Sequence, residues 1–267
     1  MDIIKSRDND ILKLARKLKI KKYRRELGLY VIEGLRFIED AVMSNAPVRF
    51  CMCSESLKGE RAERLFKNLH DKSIRLYMLK DELFKDICDT KNPQGIIAII
   101  ERKNYTVESI RKDASFLILA DRLQDPGNLG TIIRTADAAN ADGIIVSDGT
   151  VDPYSPKVLR STMGSIFHIP VVAGDLIDAI KALKKQGFNV YASSLDGDNS
   201  YFDFDYCLKT AIVIGNEANG IDEEIFNLSD KFIKIPMLGR AESLNAAVAG
   251  GILMFEVVKQ RMSAAFK

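Results

Sequence analysis

Cysteine and histidine are scarce in this chain of 267 residues, which has four Cys and two His. The cysteines, Cys51, Cys53, Cys88 and Cys207, form no C-x-x-C pair. A zinc ribbon or a thioredoxin-type redox site is therefore not expected, and few, unpatterned thiols fit a reducing compartment. His70 and His168 stand alone, with no second histidine at metal-ligand spacing, so no metal is expected. Long apolar runs are missing too. The longest, such as 96–100, fall far short of the roughly 20 residues of a membrane span. The first ten residues are polar and lack the apolar stretch of a secretory signal. These absences read as a soluble, cytoplasmic protein without metal. Neither sign of charge dominates: 39 Lys and Arg face 37 Asp and Glu, a net of +2.

What is present points to globular α/β structure. Hydrophobic residues make up 46% and charged residues 28%, so the chain can bury enough surface to offset its ordering entropy. The length admits one large domain or two modest ones. The charge is unevenly spread. Residues 1–112 carry 25 Lys and Arg against 17 Asp and Glu, net +8, and residues 113–267 carry 14 against 20, net −6. Such asymmetry suggests a basic half that meets a polyanion and a second half with another task.

Near the start, apolar residues recur at close to helical spacing over 8–25. Eight basic residues fill the gaps uninterrupted by acid. Lys13, Arg16, Lys17, Lys21, Lys22, Arg24 and Arg25 are the candidates for contact with RNA phosphates, against the plainer reading of a solvated helix face. Strand-like runs at 29–32, 48–52, 74–78 and 96–100 then alternate with helical ones at 34–43 and 60–69. The charged, weakly patterned stretch 106–114 is read as a linker between domains 1–105 and 115–267. The second half has strand candidates at 116–120, 143–146, 169–172, 189–192, 211–214 and 232–235. Helix candidates lie at 129–139, 156–163, 175–186, 222–226 and 243–261. Apolar strands alternating with helices imply a parallel sheet covered on both faces. Ligands of such sheets bind beyond the carboxyl ends of the strands.

Three loops there are dense in Gly, Asn and acids: 121–131, 215–220 and 236–245. None is a G-x-G-x-x-G dinucleotide turn, and the chain has no G-x-x-x-x-G-K-[ST] phosphate loop and no G-x-S-x-G nucleophile elbow. An unrelated nucleotide-binding enzyme thus lacks its fingerprint. In order, the loops contain Asp125-Pro-Gly-Asn128-Leu-Gly130-Thr-Ile-Ile-Arg134-Thr-Ala136, Ile214-Gly215-Asn216-Glu217-Ala-Asn-Gly220, and Ile235-Pro236-Met237 followed by Glu242-Ser243-Leu244-Asn245.

Together these motifs resemble the SPOUT superfamily in its SpoU (TrmH-like) branch, over roughly residues 116–262. The resemblance implies an α/β fold with a trefoil-knotted C-terminal domain. It also implies a homodimer with its site near the dimer interface. S-adenosylmethionine would be the methyl donor and a ribose 2′-hydroxyl in RNA the acceptor. Large-subunit ribosomal RNA is favoured, with tRNA as the alternative. A non-catalytic RNA-binding or ribosome-assembly protein on the same fold is the competing class. The first half looks like the small substrate-binding domain, similar to ribosomal protein L30e, of many ribosomal RNA members, with 26–34 resembling its strand-to-helix turn.

A ribose hydroxyl is a weak nucleophile, so some group must take its proton or stabilise the developing oxyanion. Arg134 matches the family's residue for that role. Because arginine stays protonated, charge stabilisation or phosphate positioning is physically easier than base catalysis, and both remain open. Without the motif it reads as a surface arginine paired with Asp137 or Asp121. Asn128 fits both a helix cap and a substrate contact. Glu217 is expected to order its loop, touch substrate or, preferably, orient Arg134. Ser243 reads as the N-cap of the last helix and as a donor or substrate contact. Asn245 would reach the target nucleotide or the Glu217 loop. For the donor, Gly215 offers close backbone approach, Asn216 and Pro236 flank it, and Ile235, Met237 and Leu244 offer apolar walls. Gly250 and Gly251 weaken the last helix by up to about 1 kcal/mol each against Ala. They want a packing reason, in a knot core or a dimer contact. Ala246 and Ala247 stand where the family more often has Val-Ser.

Overall fold

The computed structural model describes residues 2–90, 92–194 and 199–265. The chain divides into two units, 1–104 with 154–167, and 105–153 with 168–267.

In the first unit the chain runs β1 (Asp2–Ile4), α1 (Asp10–Lys17), α2 (Lys21–Leu27), β2 (Leu29–Glu33), α3 (Leu35–Met43), β3 (Val48–Ser54), α4 (Glu60–Asp71), β4 (Arg75–Leu79), α5 (Asp81–Lys85) and β5 (Ile96–Glu101). The sheet order is β1-β4-β3-β5-β2, with β5 antiparallel to both neighbours and the other pairs parallel. Leu12, Ala15 and Leu18 enter a core with Phe50, Met52, Leu79, Phe84, Ile97 and Ile99.

The single basic helix expected over 8–25 is two. Asn9 caps α1 through its side chain, which accepts from the Ile11 N–H, and the chain turns over Leu18–Ile20 before α2. Arg24 holds that turn. It is only 5% exposed, and its Nη1 donates to the carbonyls of Leu18 and Lys19, both at 2.8 Å. Those carbonyls end α1 without helical partners, and a cation there satisfies them. Arg24 is thereby removed from the RNA-facing set: its guanidinium is spent inside the fold.

The second part runs α6 (Val107–Arg111), β6 (Phe116–Ala120), α7 (Pro126–Ala138), β7 (Gly143–Val146), α8 (Pro156–Thr162), β8 (Val171–Ala173), α9 (Leu176–Lys185), β9 (Asn189–Ser193), β10 (Asn199–Ser200), β11 (Thr210–Ile214), α10 (Glu223–Leu228), β12 (Lys231–Lys234) and α11 (Ala246–Ala265). Its sheet order is β10-β12-β9-β11-β6-β7-β8, parallel throughout. β6, β7 and β11 are buried along their whole length, as central strands covered on both faces must be.

Two stretches differ from the expected division. Within 106–114, Thr106 and Ser109 form a capping box that starts α6, and Ile110 packs into the core with Leu117, Leu119, Ile145 and Val172. The stretch is folded structure rather than an open tether. The segment 154–167, with α8, groups with the first unit. There Tyr154 packs on Tyr30 with ring centroids 4.8 Å apart, and Phe167 on Phe37 at 5.3 Å. No helix among the described residues is long and apolar enough to cross a membrane.

Candidate functional site

Three loops of the second unit leave the carboxyl ends of β6, β11 and β12. The first begins at Asp121, which is 1% exposed. Asp121 accepts from Nε and Nη2 of Arg122 at 3.0–3.2 Å, from the Ser147 hydroxyl at 3.3 Å and from the Asp222 N–H at 2.8 Å. One buried carboxylate thus ties the β6 loop to the β7 and β11 loops. Asp121 and Arg122 were not among the expected site residues, although an acid ending an apolar strand is the available signal.

Asp125, not Asn128, is the N-cap of α7. Its Oδ1 accepts from the Asn128 N–H at 2.8 Å, and Pro126 occupies the first helical position. Asn128 is therefore one turn inside the helix and only 8% exposed. Its side-chain Nδ2 donates to Glu217 Oε1 at 2.9 Å, and its Oδ1 accepts from Asn245 Nδ2 at 2.8 Å. Asn128 is the middle link of a relay that joins all three loops.

Glu217 ends that relay. Its carboxylate also accepts the backbone N–H groups of Gln124 at 3.0 Å and Asp125 at 3.1 Å. Burial pushes the carboxyl up, but the hydrogen bonds from Asn128, from Gln124, from its own backbone and from Asp125 outweigh it and hold the group below the usual carboxylate range. The expected orientation of Arg134 by Glu217 is not what these bonds do: they order the β6 loop.

The β11 loop is built by Asn216. Its Nδ2 donates to the Arg122 carbonyl at 2.7 Å, and its Oδ1 accepts from the N–H groups of Ala218 and Asn219, both at 2.9 Å. Backbone bonds between Asn216 and Gly220 close the loop. Gly215 sits where a Cβ would lie 2.5 Å from the Gly220 carbonyl carbon and the Ile221 nitrogen, so only glycine lets the loop fold back.

The last helix begins at Ala246, not at Ser243. Asn245 is its cap: Oδ1 accepts from the N–H groups of Ala247 at 2.9 Å and Val248 at 3.3 Å. Its amide nitrogen is left for Asn128, so one side chain starts α11 and completes the relay. Ser243 is exposed and makes no hydrogen bond to any described residue. From Pro236 to Leu244, no backbone or side-chain group hydrogen-bonds a described residue. Ile235, Met237 and Leu244 are half-buried beside these open amides and carbonyls. Free backbone groups next to apolar side chains fit a planar, polar-edged ring such as adenine.

Arg134 lies on α7, about one residue short of two turns past Asn128, about 9 Å along the axis. It is exposed and pairs with no described residue. Neither Asp121 nor Asp137 takes it. Asp121 is filled by Arg122, Ser147 and Asp222, and Asp137 Oδ2 lies 3.2 Å from His168 Nδ1. A guanidinium with no partner among the described residues is suited to anionic oxygen.

In the first unit, the other six expected basic residues are at least partly exposed. Lys13 lies 3.7 Å from Asp8, Lys22 3.8 Å from Glu26, and Arg16 3.6 Å from Asp86. Exposed pairs of this kind are worth about 0–1 kcal/mol, so phosphates displace them readily. Lys21 and Arg25 have no partner among the described residues.

Comparison with known proteins names the class that this architecture defines. The SpoU rRNA Methylase family matches residues 115–255, and the MRM3-like substrate binding domain matches residues 9–98. The chain belongs to the SpoU rRNA methylase family. It is similar to the 23S rRNA (guanosine(2553)-2′-O)-methyltransferase RlmP of Bacillus subtilis, with 36% identity over 96% of this chain and 99% of that one. The 23S rRNA (uridine(2479)-2′-O)-methyltransferase of Streptomyces viridochromogenes is 34% identical over 90% and 86%. The AdoMet-bound rRNA methyltransferase structure from Sinorhizobium meliloti superposes with a TM-score of 0.85 at 33% identity, covering 97% of each chain.

Proposed function

We propose that this chain transfers a methyl group from S-adenosylmethionine to a ribose 2′-hydroxyl of large-subunit ribosomal RNA. The observation that carries the reading is the Asn245–Asn128–Glu217 relay, which locks three loops together beyond the strand ends and leaves Arg134 free on the same helix. Ribosomal RNA is favoured over tRNA because relatives matched over nearly their whole length are named for 23S rRNA.

The donor would be held by Gly215, Asn216, Ile235, Pro236, Met237, Ser243 and Leu244. When bound it supplies an activated methyl group on a sulfonium. Gly215 and Asn216 act by shaping the loop, since the Asn216 side chain is spent on Arg122, Ala218 and Asn219. Ile235, Met237 and Leu244 offer apolar walls, and the uncommitted backbone of 236–244 reads polar edges. Arg134 places its charge against the ribose oxygen as its proton leaves, or against the adjoining phosphate. Asn128, Glu217 and Asn245 hold the loops at fixed spacing, and Ser243 is free to contact donor or substrate.

Lys13, Arg16, Lys17, Lys21, Lys22 and Arg25 recruit RNA, and affinity falls steeply with salt as counterions are released. The same reading carries a homodimer, supported by Val248, Phe255 and Met262, which are 51%, 49% and 56% exposed at near-heptad spacing along α11. A trefoil-knotted path and a cytoplasmic location complete it.

The test is transfer of labelled methyl to RNA from cells lacking the gene, with the modified ribose mapped. We expect a 2′-O-methyl mark in large-subunit RNA, loss of transfer in Arg134→Ala, and retained donor binding by calorimetry. A mark in tRNA would move the substrate assignment. A folded chain that binds no donor would leave a non-catalytic RNA-binding protein instead.

A further inference from the structure

We propose that the α1–α2 surface takes an unpaired nucleotide of the RNA, with its base stacked on Tyr23. The inference rests on reading the first unit as RNA-recruiting, and the experiment below separates the two.

The surface combines two features that a plain phosphate patch does not need together. Ile20, Tyr23 and Leu27 are spaced three and four residues apart, so they share one face of α2. Ile20 is 55% exposed, Leu27 is 46% exposed and Tyr23 is half-exposed. The Tyr23 hydroxyl has no hydrogen-bond partner among the described residues, so the ring is not pinned into the core by its polar end. Lys17 Nζ stands 5.8 Å from the Tyr23 ring centroid, within cation–π range.

Basic side chains adjoin this apolar face, Lys17 at the ring and Lys22 about a quarter-turn round α2. Lys21 and Arg25, four residues apart on the opposite side of α2 from Tyr23, have no partner among the described residues. The one acid of α2, Glu26, is 3.8 Å from Lys22. An aromatic ring with aliphatic shoulders and lysines beside it matches a base with its adjoining phosphate. A duplex does not fit: its bases are stacked on one another, and A-form RNA offers side chains only its backbone and shallow groove. An unpaired base has a free face, and stacking on an aromatic side chain accepts any base.

The chain has no tryptophan, so Tyr23→Trp in the full-length protein installs a sole indole at the platform. The probes are oligouridylate and a blunt RNA duplex. We expect indole emission to be quenched by oligouridylate and not by the duplex. Tyr23→Ala is expected to weaken oligouridylate binding about fivefold to a hundredfold, the range for losing one stacked base, with duplex affinity unchanged and Tyr23→Phe near wild type. Trp and Phe keep the ring, so they report even if the Ala variant unfolds. Absent quenching overturns the stacking inference, as does an Ala variant that binds like wild type, where Lys21→Glu and Arg25→Glu still weaken both RNAs. If those charge reversals leave both RNAs bound as before, the recruiting role of this surface falls, and the stacking inference with it.

Discussion

One added methyl group, placed at three glycines, should give three different outcomes. In Gly251→Ala the new Cβ would lie 3.7 Å from Thr135 Cγ2, an ordinary contact. Replacing glycine inside a helix gains about 1 kcal/mol, which for a domain of this size raises Tm by about 2–4 °C. In Gly250→Ala the same propensity gain applies, but the Cβ would lie 2.6 Å from Ile214 Cδ1, inside any real contact distance. Overpacking costs about 1–3 kcal/mol. The end of an isoleucine can shift, so the net should fall between neutral and a loss of about 2 kcal/mol. In Gly215→Ala there is no helix to favour. The clashing atoms are backbone of Gly220 and Ile221 at 2.5 Å, so the loop must open, with a loss of about 1–3 kcal/mol and weaker donor binding. The assay is urea unfolding of each variant at several protein concentrations, with calorimetry for the donor. Concentration matters because a dimer through the outer face of α11 would add its own stability, and Gly251→Ala would then lose part of its gain as protein concentration rises. Equal shifts at all three positions, or a neutral Gly215→Ala, would refute the contact reasoning.

Other perturbations separate folding from function. Arg24→Ala should lower stability by about 1.5–3 kcal/mol, the range for a hydrogen bond to a charged group, whereas Arg25→Ala should leave the melting curve unchanged and weaken RNA binding. Asn245→Ala should cost about 1 kcal/mol for the lost cap and also reduce turnover through Asn128. Ser243→Ala should stay within about 0.5 kcal/mol in stability, so a fall in its turnover would mark contact with donor or substrate. The Glu217 carboxyl sits below its unfolded value, so its contribution is full above the ordinary carboxylate range and disappears as pH falls through the folded value. Urea unfolding against pH should therefore show a shallower acid limb in Glu217→Gln, and identical limbs would count against its role in ordering the β6 loop.

The parts of this molecule that could be read from its residues are those where local chemistry decides alone. Runs such as 116–120 and 211–214 are wholly apolar, and a short apolar run between turn residues has little choice but a central strand. Because ligands gather at the ends of such strands, the three loops were visible as well. What stayed hidden depends on partners distant in the chain. Ser243 and Asn245 are both good caps, and nothing nearby ranks them; the hydrogen bond from Asn245 to Asn128, 117 residues away, settles the choice. Arg24 is one of eight cations in its stretch, and only the folded turn shows that its guanidinium serves two carbonyls inside. The stretch 106–114 reads as a tether because its few apolar residues stand among charges, yet a capping box and the packing of Ile110, Ala114 and Val107 fold it. The segment 154–167 carries no signal at all that it groups with the other unit. Arg134 shows the limit from the opposite side. Its residue type and helix were legible, but its value as a free charge depends on Asp121 and Asp137 being filled by other residues, and those pairings exist only once the sheet has brought residues 137 and 168, and 121 and 222, together.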